Sequence, residues 1–143
     1  EFKAEAVELA EGQQVVAARA DAVPFGAGDG DATVAAAIKA IIAGRKHIEP
    51  WVIRSRALEC TGFMPGDTVL VDSSQLPRAG EPACAQVYGL RGAAAETVMR
   101  IFEPPYLVAA TYDPNLRKPL LIDDDRVIVK GLILPHRMRP RGN

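Results

Sequence analysis

The chain has 143 residues and a mass of 15.3 kDa, which suits one domain, or one domain with a tail. Hydrophobic residues make up 48% of the sequence, charged residues 24%, and the net charge at pH 7 is -1. This balance is typical of a globular protein with a buried core; it excludes a disordered acidic tail or a collagen-like repeat, and it argues against tight nucleic-acid binding by this segment alone.

The N-terminal part predicts an arm followed by one helix. Residues 1–30 are rich in Ala, Gly and Glu, and the Gly, Pro and Asp of residues 23–30 are typical of a linker or exposed loop. Asp31 is a good helix N-cap, and apolar residues recur at helical spacing over residues 32–43, with Gly44 as the expected C-cap. The apolar face is narrow, so this helix is expected to pack on a surface; the helix and its connection occupy residues 31–49.

From Pro50 onward, short runs rich in β-branched residues alternate with turn sequences. Six strands are predicted, at residues 51–56, 68–72, 83–90, 96–102, 107–112 and 127–134. This pattern predicts a mainly β fold (β-rich α+β), a compact bent β domain over residues 50–136 with one short N-terminal helix. Residues 137–143 are interpreted as a basic tail that is solvated rather than in contact with phosphate.

The sequence contains no membrane or export signal. No apolar run approaches the ~20 residues that span a bilayer, and no basic region followed by an apolar region marks the N-terminus. Cys60 and Cys84 are the only cysteines and lack the spacing of a metal site. These features predict a cytoplasmic protein in a reducing compartment, with no membrane partner.

The residues alone indicate no catalytic or cofactor site. The two histidines and two cysteines are scattered along the chain, no Ser stands in a nucleophile-elbow context, and no glycine-rich phosphate loop is present. Asp123, Asp124 and Asp125 are adjacent and cannot all face one cation, so they are interpreted as an acidic turn before the last strand. No metal and no cofactor are expected.

Residues 52–72 read VIRSRALECTGFMPGDTVLVD, a strand followed by a short turn, Gly-Asp and a second strand that ends in Asp. This pattern resembles the core signature of LexA and the lambda-type phage repressors. Segments 80–87, 96–101, 113–123 and 127–134 resemble later steps of the same family, in the same order. The resemblance covers about residues 50–135 and implies a domain of the LexA and signal-peptidase type.

The resembling family carries a Ser-Lys dyad with which its members cut their own linker, commonly at an Ala-Gly bond. A Ser hydroxyl needs an adjacent base, and a Lys can act as that base only when burial favours its neutral amine. Here Ala57 stands at the nucleophile position and Met99 at the base position. Neither side chain supports the reaction, so the resemblance implies a pseudo-peptidase and not an enzyme.

Two features keep an alternative open. Ser55 lies two residues before Ala57 and is a candidate substitute nucleophile, although no neighbouring base is evident. Ala27 and Gly28 form a candidate remnant of the cleavage bond, for which a flexible hinge is the favoured interpretation. The alternatives are therefore a self-cleaving serine peptidase with a non-standard nucleophile, and a small-molecule or peptide sensor that uses a vacated cleft beside Ala57 and Met99.

The resemblance implies a function in transcription. In that family this domain pairs two chains so that their N-terminal helix-turn-helix domains meet a two-fold symmetric operator, and an activated recombinase filament stimulates cleavage. The sequence lacks an initiator Met, and we expect it to be a fragment of a longer repressor whose DNA-binding domain lies outside it. The expected partner is a second copy, and the implied contact surface is the last strand with residues 135–139, including Val127, Val129, Leu132, Ile133 and Leu134.

Overall fold

The computed structural model describes residues 20–26, 32–89 and 95–139. Within them lie one α-helix, α1 (Ala32–Ile42), and the strands β1 (Ala22–Pro24), β2 (Ile48–Ile53), β3 (Thr68–Asp72), β4 (Pro82–Val87), β5 (Glu96–Glu103), β6 (Tyr106–Val108), β7 (Leu120–Leu121) and β8 (Val127–Met138). These strands form one antiparallel sheet in the order β1-β2-β3-β8-β4-β5-β6-β7. The predicted mainly β fold with one short helix is confirmed.

Helix α1 agrees with its prediction to within one residue. It ends before Gly44, whose positive φ of 74° suits the predicted glycine C-cap, and the Arg45 N–H donates to the Ile42 carbonyl at 2.9 Å in the turn that follows. Ile38 is the one buried residue of the helix. The helix therefore packs on the surface of the sheet, as its narrow apolar face predicts. Asp31, the predicted N-cap, lies outside the described residues.

Strand β1 corrects the prediction of a loop over residues 23–30. Ala22 pairs with Ile53 and Pro24 with Trp51, and Ala22 is buried in the core. Proline is tolerated here because β1 is an edge strand, where one side of the backbone needs no partner. A strand of three residues shows too little pattern to be recognised without its partner, and the same holds for β7.

The strand boundaries differ where backbone groups find partners outside the sheet. β3 has its predicted bounds, but β2 ends at Ile53 because the N–H groups of Arg54 and Ser55 donate to the Asp21 carbonyl instead. β6 ends at Val108, and the Ala110 N–H then donates to the Ala57 carbonyl at 2.7 Å. The Ala110 N–H bond to Ala57 and the Cys60 N–H bond to the Ala110 carbonyl (2.9 Å) hold the loops after β2 and β6 against each other.

Strand β8 connects the two halves of the sheet. Residues 127–132 pair with β4 and residues 132–138 pair with β3, so β8 extends four residues past its predicted end. Between the pairs Val71–Ile133 and Val69–Arg137, β8 advances four residues where β3 advances two, which is a bulge around Pro135. The Gly131 backbone lies so close to β3 that a Cβ there would stand 2.5 Å from the Asp72 carbonyl oxygen.

The core consists of two clusters on opposite faces of β4 and β5. Cys84 and Met99 belong to the first cluster, and their neighbours Ala85 and Val98 belong to the second, as alternation along a strand requires. The first cluster also contains Ala22, Ile53, Leu58, Phe63, Val69, Val71 and Ile133. Within the described ranges, no helix is long and apolar enough to span a membrane.

Candidate functional site

Ala57 and Met99, the positions of the dyad in the resembling family, are both buried. Met99 lies on β5 and Ala57 in the turn after β2, and each is 1% exposed. The Met99 side chain packs in the first core cluster, whose members include Leu58 and Phe63. A pocket beside Ala57 and Met99, expected from the sequence, stays a prediction.

Asp21 joins the segments that carry these two positions. Its carbonyl oxygen accepts hydrogen bonds from the N–H groups of Arg54 (2.7 Å) and Ser55 (3.2 Å), in the loop that leads to Ala57. On the other side its N–H donates to the Thr97 carbonyl at 2.8 Å, and its carboxylate accepts from the Met99 N–H at 2.9 Å. A residue from the predicted linker thus bridges β5 and the end of β2.

The Asp21 carboxylate also forms a buried ion pair. Arg100 Nε donates to Asp21 Oδ2 at 2.9 Å; the Asp21 side chain is 2% exposed and the Arg100 side chain 9%. Arg100 Nη1 reaches the Leu116 carbonyl at 3.4 Å. A buried charge needs a close partner of opposite sign, and each of these residues supplies it to the other. The sequence prediction missed this pair because its members lie 79 residues apart.

Glu96, the first residue of β5, is a second acidic group near Asp21. Its Oε1 atom is buried and has no hydrogen-bond partner among the described residues. Burial, with a smaller contribution from the charge of Asp21, raises the pKa of Glu96 above its ordinary value.

The Ser55 hydroxyl, the candidate substitute nucleophile, is hydrogen-bonded within its own turn. Its Oγ accepts a hydrogen bond from the Ala57 N–H at 3.1 Å. In the described part of the chain, no Lys, His or carboxylate group is hydrogen-bonded to this hydroxyl. An attacking hydroxyl needs a base within hydrogen-bond reach. The arrangement around Ser55 can therefore orient the turn but offers no proton acceptor.

The arm leads away from Ala57. Asp21 lies beside Ser55, whereas the Phe25 N–H donates to the Pro50 carbonyl at 3.1 Å, at the other end of this stretch of β2. With a rise of about 3.3 Å per residue, the four residues from Asp21 to Phe25 carry the chain about 13 Å along β2. Ala27 and Gly28, the candidate cleavage bond, lie outside the described residues.

Glu59 fastens the turn after Ala57 to the loop that follows β6. Its Oε2 atom accepts from Thr111 Oγ1 at 2.6 Å and from the Tyr112 N–H at 3.0 Å, and its Oε1 pairs with Arg56 at 3.3 Å. The hydrogen bond from Thr111, followed by that from Tyr112, lowers the pKa of Glu59 below its ordinary value. Together with the bonds of Ala110, these contacts close the chain over the Ala57 position.

The predicted solvated tail makes specific contacts. Arg139 Nε and Nη2 donate to the Asp67 carboxylate at 2.9 and 3.1 Å, and Nη2 also donates to the Gly62 carbonyl at 2.9 Å. Arg137 lies over the ring of Phe63, 5.5 Å from its centroid. The basic residues of this segment are therefore partly engaged by the turn at residues 62–67, which corrects the interpretation of a free tail from residue 137.

The predicted contact residues divide by burial. Val127 and Ile133 are buried within the protomer, so neither can lie on a docking surface, and a charge placed at Ile133 would enter the core. Val129, Leu132 and Leu134 are half-buried. Beyond Leu132, β8 has no register pair with β4, so residues 134–138 have one side away from β3. Pro135, His136 and Arg137 are exposed there.

A surface pocket of about 400 Å³ lies between the end of α1 and the end of β3, apart from Ala57 and Met99. It is lined by Gly44, Arg45, Lys46, His47, Ile48, Asp72 and Ser74. Hydrogen bonds from Ser74 and Gln75 lower the pKa of Asp72, so an acidic group stands among the basic ones. This mixture of charges singles out no ligand class.

The predicted acidic turn is present. Asp123 Oδ1 accepts hydrogen bonds from the N–H groups of Asp125, Arg126 and Val127, at 3.0, 2.8 and 2.9 Å. No group of three or more His, Cys, Asp or Glu residues in the described ranges could hold a metal ion. Of the two thiols, both free, Cys60 is exposed; Cys84 is buried, which raises its pKa to about 12.

No protein-family model matches the chain, and no curated protein matches it either. The resemblance to LexA and the lambda-type repressors rests on the residues of segments 52–72 and 80–134.

Proposed function

We propose that this chain is the self-association domain of a DNA-binding transcriptional repressor, similar to LexA and the lambda-type phage repressors, that lacks peptidase activity. The observation that carries the proposal is the state of the two dyad positions. Ala57 and Met99 are apolar and buried, in a domain whose sequence follows the family's pattern around them. A domain of this kind that has neither a nucleophile nor a base can still serve to pair two chains.

Pairing has a clear physical value for such a repressor. Joining two weak DNA-binding modules turns the second contact into an intramolecular event, which raises apparent affinity by roughly 10²–10⁴-fold. The near-neutral net charge of this chain agrees with a role in pairing, since DNA contacts would come from a separate basic domain. The partners are then a second copy, and DNA through a helix-turn-helix domain outside this sequence.

The contact surface is assigned to the end of β8. Residues 134–138 combine half-buried Leu134 and Met138 with exposed Pro135 and His136, on a strand that only β3 covers. The bulge and Pro135 interrupt a regular ladder, since proline has no N–H to donate. Contact with a second copy is therefore expected mainly through these side chains.

The inactivity of the domain is tested by intact mass after prolonged incubation at about pH 10. At that pH a buried Lys base is deprotonated, and a working dyad cuts the linker without a partner. The chain is expected to keep its full mass, because Met99 supplies no base and the Ser55 hydroxyl has none.

A Ser55→Ala variant is the matched control. Fragments split near Gly28 in the unchanged chain but not in this variant would establish Ser55 as a nucleophile. That result would replace the proposal with the self-cleaving peptidase, in which a recombinase filament could act as the stimulus.

A further inference from the structure

The last turn before β3 and the last residues of β8 are joined by a two-point ion pair. Asp67 precedes β3 directly, and its side chain is 1% exposed, whereas that of Arg139 is 55% exposed. The two nitrogens of Arg139 contact the two oxygens of Asp67, and Nη2 also binds the Gly62 carbonyl. The pair is therefore a planar guanidinium on a carboxylate, the geometry in which arginine is most specific.

The acceptor side of this pair is fixed by the fold. Asp67 Oδ2 also accepts the Met64 N–H at 2.9 Å, and the Asp67 carbonyl accepts the Ile53 N–H at 2.9 Å. The Gly66 N–H donates to the Ile53 carbonyl at 2.7 Å. Because the turn is fastened to β2 in this way, Asp67 provides a rigid anchor for a flexible, solvent-exposed arginine.

The donor side needs such an anchor. Past the bulge around Pro135, β8 keeps only two register pairs with β3, Val69–Arg137 and Thr68–Met138. Two pairs at the end of a strand fray easily, since they carry little buried apolar area. Arg139 follows directly after these pairs, so its contact with Asp67 closes the end that the bulge leaves weakly held.

The ion pair with Asp67 also offsets the charge of Arg139 beside the proposed contact surface. Arg137 lies over the Phe63 ring, 5.5 Å from its centroid. Two copies that met through residues 134–138 would bring four arginines together. Like charges at an interface oppose association, and neutralising them favours it.

We propose that Asp67 and Arg139 form a latch that positions residues 134–138 of β8 for contact with a second copy of the chain. This inference rests on the proposed function, since it names the residues that prepare the surface through which the domain pairs. Arg139 is a positioning residue: it holds the strand and does not itself have to touch the partner.

The test compares Arg139→Gln, Arg139→Lys and the control Arg126→Gln, which removes an exposed arginine from the turn before β8. Sedimentation equilibrium gives the dimer dissociation constant, and amide hydrogen exchange of residues 137 and 138 in dilute protein reports the strand end. Arg139→Gln is expected to raise the dissociation constant about tenfold and to speed exchange, because a hydrogen-bonded charge pair is lost. Arg139→Lys, which keeps the charge, restores part of both, and Arg126→Gln changes neither.

Two results would overturn the latch and can be told apart. If the unchanged chain dimerises and Arg139→Gln dimerises equally well, the latch is wrong while the proposed function stands. If the unchanged chain is monomeric throughout, the proposed function fails and the latch fails with it.

Discussion

Met99 and Arg100 are neighbours on β5 with opposite surroundings, and together they describe what this site does. The Met99 side chain is enclosed by the apolar core, and the Arg100 side chain pairs with Asp21. Where the resembling family needs a buried neutral amine, this chain has a thioether, and the adjacent arginine is committed to an ion pair that holds the arm. The hydrogen bonds and the ion pair of Asp21 thus connect the start of β1 to the end of β2 and to β5.

The Asp21–Arg100 pair gives a prediction about stability. Asp21→Asn keeps the shape but leaves the buried Arg100 charge without a partner, which costs about 3–5 kcal/mol of unfolding free energy. Arg100→Met leaves Asp21 unpaired in the same way. The double variant leaves no unpaired charge in the core. Its decrease in unfolding free energy, measured by urea unfolding, should therefore be clearly less than the sum of the two single decreases. Strictly additive losses would contradict the pairing.

Gly131 gives a second prediction, because its backbone lies against β3. A methyl group there would stand 2.5 Å from the Asp72 carbonyl oxygen, a backbone atom that cannot turn aside. Gly131→Ala is expected to lower the unfolding free energy by about 3 kcal/mol through overpacking. Gly80→Ala is the control: its Cβ meets nothing within 4 Å, so only the positive φ of 89° opposes it, at about 1 kcal/mol. Equal losses in thermal or urea unfolding would refute the close contact.

At the scale of elements, β8 determines the architecture because it pairs with a different neighbour along each half. Its first half continues the sheet toward β4, and its second half, past the bulge, pairs only with β3. This division explains why the strand is both the centre of the sheet and a source of exposed residues. It also explains why Val127 and Ile133 belong to the core, while residues 134–138 reach the surface.

The sequence predicts elements well where local pattern and tertiary environment agree. β3 is a run rich in β-branched residues between turns, buried along its length, and its predicted bounds agree with the structure. α1 is equally clear because its apolar spacing ends just before Gly44, the predicted C-cap. β1 and β7 are too short to show a period, and their existence depends on partners that lie far away in the chain.

The site was less predictable than the fold. The positions of Ala57 and Met99 follow from the family pattern, but their full burial depends on packing that no motif reveals. Asp21 stands among Gly- and Pro-rich residues that favour a loop. Its structural role depends on hydrogen bonds to β5, which the local sequence does not show. Arg139 similarly stands among the basic residues of a predicted tail, and the sequence does not show that Asp67, 72 residues earlier, is its partner.

In the domain as a whole, Ala57 and Met99 are buried, and specific hydrogen bonds hold the segments around them. Asp21 fastens the arm to residues 54 and 55 and to β5, and Glu59 fastens the turn after Ala57 to the loop after β6. We expect a partner to contact the end of β8. A repressor built on such a domain would be released from DNA by a change in association rather than by cutting its linker.

Contact with a second copy through residues 134–138 is tested by sedimentation equilibrium of the unchanged chain, Leu134→Glu and Leu76→Glu. Leu134 is half-buried on β8, whereas Leu76 is 80% exposed in the loop after β3 and serves as the matched control. A charge at the centre of an apolar contact must be desolvated, so Leu134→Glu should weaken the dimer at least about tenfold while Leu76→Glu leaves it unchanged. Circular dichroism confirms that each variant is folded. If the unchanged chain is monomeric at concentrations on the order of 100 µM, or if a folded Leu134→Glu variant dimerises as well as the control, residues 134–138 do not form this contact.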